Sequence, residues 1–533
     1  MSTSQDDSQR DPARSGGGRV SRRGIFPLFG AAATVAALAP AGLASAAGTS
    51  SPSPELLASQ AGTLAGNPGG AFAEYQISQP SGTAITLTLT YNPFDVTVAH
   101  GVGFHVYQAG GTLASATGQS LPLGDPSNNN APTATFTPNA RGGPVLVQVF
   151  NYSRGTISYS LTSSVPGAVV SGGPAPARYV YIGTYSAPNT APGGTSPSTA
   201  VGIYVYKMNP SDGGLAFVQA LPVDNPSFLA VDPAKKFLYS TNELGTINGK
   251  PGGMVSAFAI DQRDGKLTFL NQALTDGTAP AHLSVHPSGK YLLASNYSTG
   301  NFPIYAIQPD GRIGRMTDLV QDQGVGTGPN PSRQEGPHAH MITTDPNAGH
   351  VVCVDLGADK VFVWTLDLKT GKLSPNTVPY AQVASGSGCR HIAFHPASKF
   401  AYVIAEMASS ITAYHYDPAR GAFIWLQTVS TLPPNFTGSS AGGEIRMHPT
   451  GSFVYGTNRG HNSVVGFAID QNSGMLSPIN WWSTQGSIPR GMNIDPSGTF
   501  LYAANQNSNS IAVFRIDPSS GNLGQSVPLV QSP

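Results

Sequence analysis

Seven times between Tyr179 and the C-terminus the chain repeats one pattern: an apolar run ending in a small or polar residue, a polar gap, and a second apolar run. The first runs begin at Tyr179 (YVYIGTY), Phe237 (FLYSTNE), Tyr291 (YLLASNY), His350 (HVVCVDL), Phe400 (FAYVIAE), Phe453 (FVYGTNR) and Phe500 (FLYAANQ), at spacings of 58, 54, 59, 50, 53 and 47 residues. Six of them follow another short strand pattern and an Asp-Pro or His-Pro turn, at Asp232-Pro233, His286-Pro287, Asp345-Pro346, His395-Pro396, His448-Pro449 and Asp495-Pro496. Proline fixes φ and removes a donor, which suits a tight turn between antiparallel strands. Each unit supplies about four strands in roughly 50 residues, the size of a propeller blade. One blade cannot bury both faces of its sheet, whereas a closed ring of seven can. The pattern predicts an all-β chain dominated by a seven-bladed β-propeller. The first run lacks a preceding strand pattern, so the strand at Tyr179 is expected to pair with C-terminal strands. A solenoid of stacked β units is the competing architecture, but it needs shorter, more uniform repeats without hairpin turns.

A chain of 533 residues exceeds one ordinary core, and a second unit is expected ahead of the repeats. Short alternating runs at 72 to 78, 85 to 91, 103 to 108, 133 to 137, 145 to 152 and 157 to 162 are separated by Gly, Pro and Asn clusters. They read as a small β-sandwich over 47 to 164, joined by a linker at 165 to 177 to the propeller at 178 to 533. Residues 1 to 46 read as an export signal: Ser21-Arg22-Arg23, Ile25-Phe26, an apolar stretch from Phe29 to Leu43, and the small-residue site Ala44-Ser45-Ala46. The arginine pair points to the twin-arginine type, with an ordinary secretory signal as the alternative. Either places the chain outside the cytoplasm, in periplasm or medium.

Removing that segment takes away five Arg and three Asp and leaves 23 basic against 25 acidic residues, a net charge of about −2. No Lys/Arg-rich run is present, which argues against nucleic-acid partners. The mature part has no apolar run long enough to span a bilayer. The two cysteines, Cys353 and Cys389, lack metal-ligand spacing, and both a disulfide and two buried thiols are open. No organic cofactor or metal is implied.

Hairpin geometry identifies which residues share an end of the blades. In Arg390 to His395, the turn at Pro396, and Phe400 to Glu406, the start of one strand lies beside the end of the next, so Arg390 and Glu406 should meet. The same fold-back gathers Glu243, His282, Asn296, His338, His340, Asp355, Arg390, Glu406, Glu444, Asn458, Arg459, Arg490 and Asn505 at one rim of a central channel. In a chain so poor in charge, such a collection of acid, His and Arg marks a candidate site. His338 and His340, two apart on an expected strand, are expected to point the same way. One is read as a general base and the other as shaping the pocket, with metal chelation as the lesser alternative.

Several segments resemble the lactonase-family propellers, which include bacterial 6-phosphogluconolactonases and fungal carboxymuconate lactonising enzymes: Gly336-Pro337-His338-Ala339-His340, Cys389-Arg390-His391-Ile392-Ala393-Phe394-His395-Pro396, Ala405-Glu406, Glu444-Ile445-Arg446-Met447-His448-Pro449, Asn458-Arg459-Gly460-His461-Asn462-Ser463 and Ile488-Pro489-Arg490-Gly491. The resemblance covers 179 to 533. Ahead of it, residues 144 to 161 are similar to the close of prepeptidase-type C-terminal domains of secreted bacterial proteins. The lactonase resemblance implies catalytic residues at His338, Arg390, Glu406 and Arg459. Glu243, His282, His340, Glu444 and Arg490 are then expected to bind substrate, a small lactone or organic acid. Members using 6-phosphogluconolactone are cytosolic, and the export signal here counts against that phosphosugar. The expected reaction is lactone hydrolysis, with His338 or Glu406 as base, Arg390 or Arg459 facing the oxyanion, and Arg490 gripping a carboxylate or phosphate. The rivals are a non-catalytic extracellular binding propeller and a lactonising or isomerising activity of the carboxymuconate type.

Overall fold

In the computed structural model, residues 178–186, 199–322 and 330–532 of the repeat region are described, and ahead of them only 34–37, 59–64, 71–77, 84–92, 102–108, 112–113, 133–136, 145–151, 157–164 and 169–170. The export signal apart from Thr34–Ala37, and most of the expected linker, lie outside the described residues.

The repeats form seven antiparallel sheets of four or five strands, one per blade, with no α-helix among the described residues. Blade five shows the plan: Cys389–Phe394, Phe400–Ala405, Ser410–Asp417 and Ala422–Ser430 pair in sequence order. The first three strands are largely buried while the fourth is partly exposed along its length, as an outer strand must be. First strands of successive blades touch one another around the ring and line its centre. The Asp-Pro and His-Pro turns form for a clear reason. Asp232, Asp345 and Asp495 each accept backbone N–H groups of the turn, as at Thr499 and Phe500, both 2.8 Å from Asp495, and His286 and His448 do the same through Nδ1.

Tyrosines staple the blades together. Tyr181, Tyr239, Tyr402 and Tyr455 donate to the carbonyls of Gly265, Gly311, Gly474 and Gly521 in the following blade, at 2.8, 2.9, 3.0 and 2.8 Å. Tyr502 of blade seven does the same to Gly213 of blade one, at 2.9 Å, and so closes the ring. A buried ion pair, Arg178 to Asp495 at 2.9 Å, joins the same two blades.

The expected pairing of the Tyr179 strand with C-terminal strands is not what is observed. Arg178–Gly183 pairs with Gly202–Met208 on one side and with Thr34–Ala37 on the other. The C-terminal Val530–Gln531 adds instead to Ser510–Ile516 within blade seven, which already has its own first strand, Pro489–Ile494. Cys353 and Cys389 are free, buried thiols.

Ahead of the ring, the described strands make two antiparallel sheets. Ser59–Leu64, Ile157–Ser163, Ile85–Asn92 and Thr133–Phe136 form one, and Val169–Val170, Ala71–Ile77, Val145–Asn151, Val102–Gln108 and Thr112–Leu113 the other. The alternation that marks these strands in the sequence places Ile85, Leu87, Leu89, Phe104, Val147, Val149 and Leu161 inside. Val169 and Val170, within the stretch read as linker, pair with Ile77 and Gln76.

Candidate active site

Five of the seven first strands carry a local irregularity at the same place, those of blades three to seven. In blades three, four, five and seven the pairing passes over one residue: Ala281, His340, Arg390 and Arg490 respectively. In blade six Gly443 and Glu444 stand opposite the single Thr457. Such bulges re-aim a side chain out of the ladder. They bring His340, Arg390 and Arg490 to the same end of the hairpins as Glu406, just past the second strand of blade five, and Arg459, the last residue of the second strand of blade six.

Glu406 is the hub. Its carboxylate meets Arg459 Nη2 at 2.6 Å, Arg333 Nη2 at 2.6 Å and Arg390 Nε at 3.2 Å, and His340 Nε2 lies 3.9 Å away. The expected Arg390 to Glu406 contact is therefore made. Glu406 is 4% exposed, Arg390 3% and Arg459 1%. Burial alone would raise the Glu406 carboxyl, but Arg459, Arg333 and Arg390 override it and hold the group well below the usual carboxylate range. Both oxygens of that carboxylate are taken up by arginines, which leaves neither free for the base role the sequence offered it. Burial, with Arg459 and Arg490 nearby, lowers Arg390 to about 9, still protonated at neutral pH.

The two histidines of the Gly336 to His340 segment part company. His338 stacks on Tyr297 at 4.7 Å, and both its nitrogens face acceptors: Nδ1 the Tyr297 carbonyl at 3.1 Å, Nε2 the Glu335 carboxylate at 3.1 Å. A base needs a free lone pair, so this setting does not suit His338 to proton abstraction. His340 is held well below its ordinary value, by burial first and then by Arg390. Its ring continues into His391 at 5.0 Å, then His282 at 5.3 Å, which lies against Phe228 at 3.9 Å. His391 Nδ1 meets Glu444 at 2.8 Å, and Glu444 also pairs with Arg446 at 3.2 Å. Glu243 and the buried Tyr185 lie within electrostatic reach of each other and of Arg490.

Four residues of the expected rim serve the backbone instead. Asp355 accepts the N–H groups of His338 and Ala358, at 2.9 and 2.7 Å. Asn296, Asn458 and Asn505 donate to the carbonyls of Thr275, Thr431 and Thr484. Sequence reasoning missed Arg333, Tyr297, Glu335, Tyr185, Phe228 and His391. His391 lies inside a quoted motif, Arg333 and Glu335 stand shortly before one, and Tyr185 and Tyr297 end their repeat runs at the place that Glu243, Glu406 and Arg459 hold in theirs.

The buried histidines predict an acid-sensitive fold. Burial heads the causes that depress His282, His340 and His391. Below about pH 6.5 the unfolded chain takes up protons that the folded chain refuses, and stability falls with pH. Glu406 acts in the same direction in a lower window: its contribution is present above about pH 4.3 and lost as pH falls through its depressed folded value. Urea midpoints should therefore decline on acidification from neutrality, and a midpoint unchanged through pH 5 would contradict the burial of these rings.

The family model for lactonases of the seven-bladed β-propeller type matches residues 179–533. The chain belongs to that family. Among relatives, the 6-phosphogluconolactonase of Bacillus subtilis is 36% identical over 320 residues, covering 60% of this chain and 85% of the relative. A protein of the same name from Formosa agariphila is 31% identical over 305 residues, covering 56% and 84%. Among solved structures, the periplasmic gluconolactonase of Pseudomonas aeruginosa superposes with a TM-score of 0.59 at 29% identity, covering 63% of this chain and 93% of that one. The family-model match spans the propeller, where the Glu406 cluster lies.

Proposed function

We propose that this chain hydrolyses a lactone at the cluster centred on Glu406. The observation that carries the reading is the cluster itself: an ionised carboxylate enclosed by Arg333, Arg390 and Arg459 beside the uncharged His340. Fixed cations next to a neutral imidazole are what water attack on an ester carbonyl needs, since charge develops on the oxygen while a proton leaves the water. The relatives' names point the same way. A purely binding propeller has no use for so expensive a buried arrangement, because placing charges in a low-dielectric interior works against folding. The lactonising direction would use the same groups in reverse. The test is proton release by the purified protein with gluconolactone, its 6-phosphate and muconolactone. Acceleration over buffer with any of them supports hydrolysis. Acceleration with none, together with tight binding of a corresponding acid by calorimetry, would put the binding module in its place.

The same reading includes export. The Arg22-Arg23 pair, the apolar stretch and Ala44-Ser45-Ala46 support it, as does the name of the Pseudomonas aeruginosa neighbour. Intact mass of protein collected outside the cytoplasm should correspond to a chain beginning near Ala47; Met1 retained there would count against it.

We further take the two sheets ahead of the ring as an accessory sandwich. A chain starting near Ala175 should fold and keep lactone turnover, because Arg178 and Tyr502 close the ring within it. An exported chain beginning near Ala47 already lacks Thr34–Ala37, so insolubility or lost turnover of the shorter chain relative to it would show that the ring needs the sheets.

A further inference from the structure

Three arginines of the cluster each give a donor to Glu406. Arg459 gives Nε and Nη2 to the Gly442 carbonyl at 3.1 and 2.7 Å, and Nη2 also to Glu406. Arg390 gives Nε to Glu406 and Nη1 to the Gly443 carbonyl at 2.8 Å. Arg333 Nη2 is shared between Glu406 and the Tyr297 hydroxyl at 3.1 Å. Arg490 differs. It is 5% exposed, its Nε has no hydrogen-bond partner, and it makes no ion pair within 4.0 Å among the described residues.

The histidines divide in the same way. His338 has both nitrogens engaged. His340, with Nε2 turned to Glu406, has a buried Nδ1 with no partner. A neutral imidazole that presents N–H to the carboxylate carries its lone pair on that Nδ1. Buried polar atoms without partners are rare in folded chains and call for a ligand or water. Here they recur on four blades: His282 Nδ1, His340 Nδ1, Glu243 Oε2 and Arg490 Nε. His340 and Arg490 also occupy the same bulged position on their strands.

Within the lactonase reading, we propose that His340 takes the proton of the attacking water and Arg490 faces the lactone carbonyl oxygen, while Glu406 with Arg333, Arg390 and Arg459 forms a fixed frame. The water oxygen bonds to the carbonyl carbon as its proton passes to His340 Nδ1, and the π electrons move to the oxygen held by Arg490. Collapse of that intermediate restores the carbonyl and breaks the ring C–O bond. The proton on His340 passes to the departing ring oxygen, giving the open hydroxy acid. Glu243 Oε2 is left to accept a ring hydroxyl, which favours a hydroxylated lactone. The depression of His340 by burial agrees with a base that is uncharged at neutral pH.

The test compares His340→Gln, Arg490→Gln and Arg490→Lys with His338→Gln, each checked by circular dichroism and assayed for kcat and KM across pH. His340→Gln and Arg490→Gln should each lower kcat by about 10²–10³, with partial recovery in Arg490→Lys. Wild type should keep its kcat/KM on acidification past the ordinary histidine value of about 6.5, and His340→Gln should lose the acid limb that follows. Should Arg490→Gln fail to fold, Arg490→Lys and the His340→Gln pH profile still decide. A His340→Gln enzyme within about tenfold of wild type, while His338→Gln falls by about 10² or more, would overturn the assignment. If wild type itself turns over no lactone, the functional reading fails first and this assignment with it.

Discussion

Replacing Glu406 by alanine is expected to abolish lactone turnover and to destabilise the propeller by about 3–5 kcal/mol, because it leaves three inward-facing guanidiniums without their common counter-charge. Residues on a wet channel rim would give a different result: activity would fall while stability hardly moved. The burial of Glu406, Arg390 and Arg459 rules that simpler outcome out, since a charge held away from water cannot be left unpaired cheaply. Glu406→Gln keeps the shape and an acceptor for the arginines, so its loss of stability should be smaller than that of Glu406→Ala. Turnover per folded molecule should still fall by about 10² or more, because the frame no longer balances its charge. Denaturant titration alongside kinetics on the folded fraction separates the two effects. Full stability in Glu406→Ala would mean that the three contacts contribute nothing to the ring.

The second large effect is expected far from that cluster, at the junction of the first and last blades. Asp495→Ala removes the partner of buried Arg178 together with the turn acceptor for Thr499 and Phe500. A loss of about 3–5 kcal/mol is expected from the stranded arginine alone. Asp232 holds the corresponding turn in blade two by accepting the backbone N–H groups of Ala234, Lys236 and Phe237, with no ion pair within 4.0 Å among the described residues. Asp232→Ala should therefore be milder, and the difference between the two midpoints measures ring closure. Equal losses would show that Asp495 matters only as a turn residue.

The ring was legible because the pattern repeats: an apolar run, a turn proline and a second run can pair in only one antiparallel way. The Arg390 to Glu406 contact was legible for the same reason, since Cys389 pairs with Ala405 and places their neighbours side by side. Roles within the cluster were harder to read. A bulge of one residue decides whether a side chain joins the ladder or leaves it, and nothing in the spacing of His338 and His340 marks the bulge at His340. Arg333 reaches Glu406 from outside any strand, 73 residues away in sequence. Asp355, Asn296, Asn458 and Asn505 share the same end of the hairpins, yet their side chains turn onto backbone groups. The sequence pattern could give the end of a strand on which a polar residue lies but not the atom it bonds. Closure misled for a related reason: the strand at Tyr179 needed a partner, and the ring is instead joined by Arg178, Asp495 and Tyr502, which no local pattern links.

The most direct test of where the chemistry happens is a crystal structure with a hydroxylated lactam, whose ring amide mimics a lactone but resists hydrolysis. The account predicts the lactam carbonyl against Arg490 and its ring beside His340, with Glu406 still bound by Arg333, Arg390 and Arg459. A lactam seated elsewhere on the propeller, or on the sheets ahead of it, with the Glu406 cluster untouched, would contradict it.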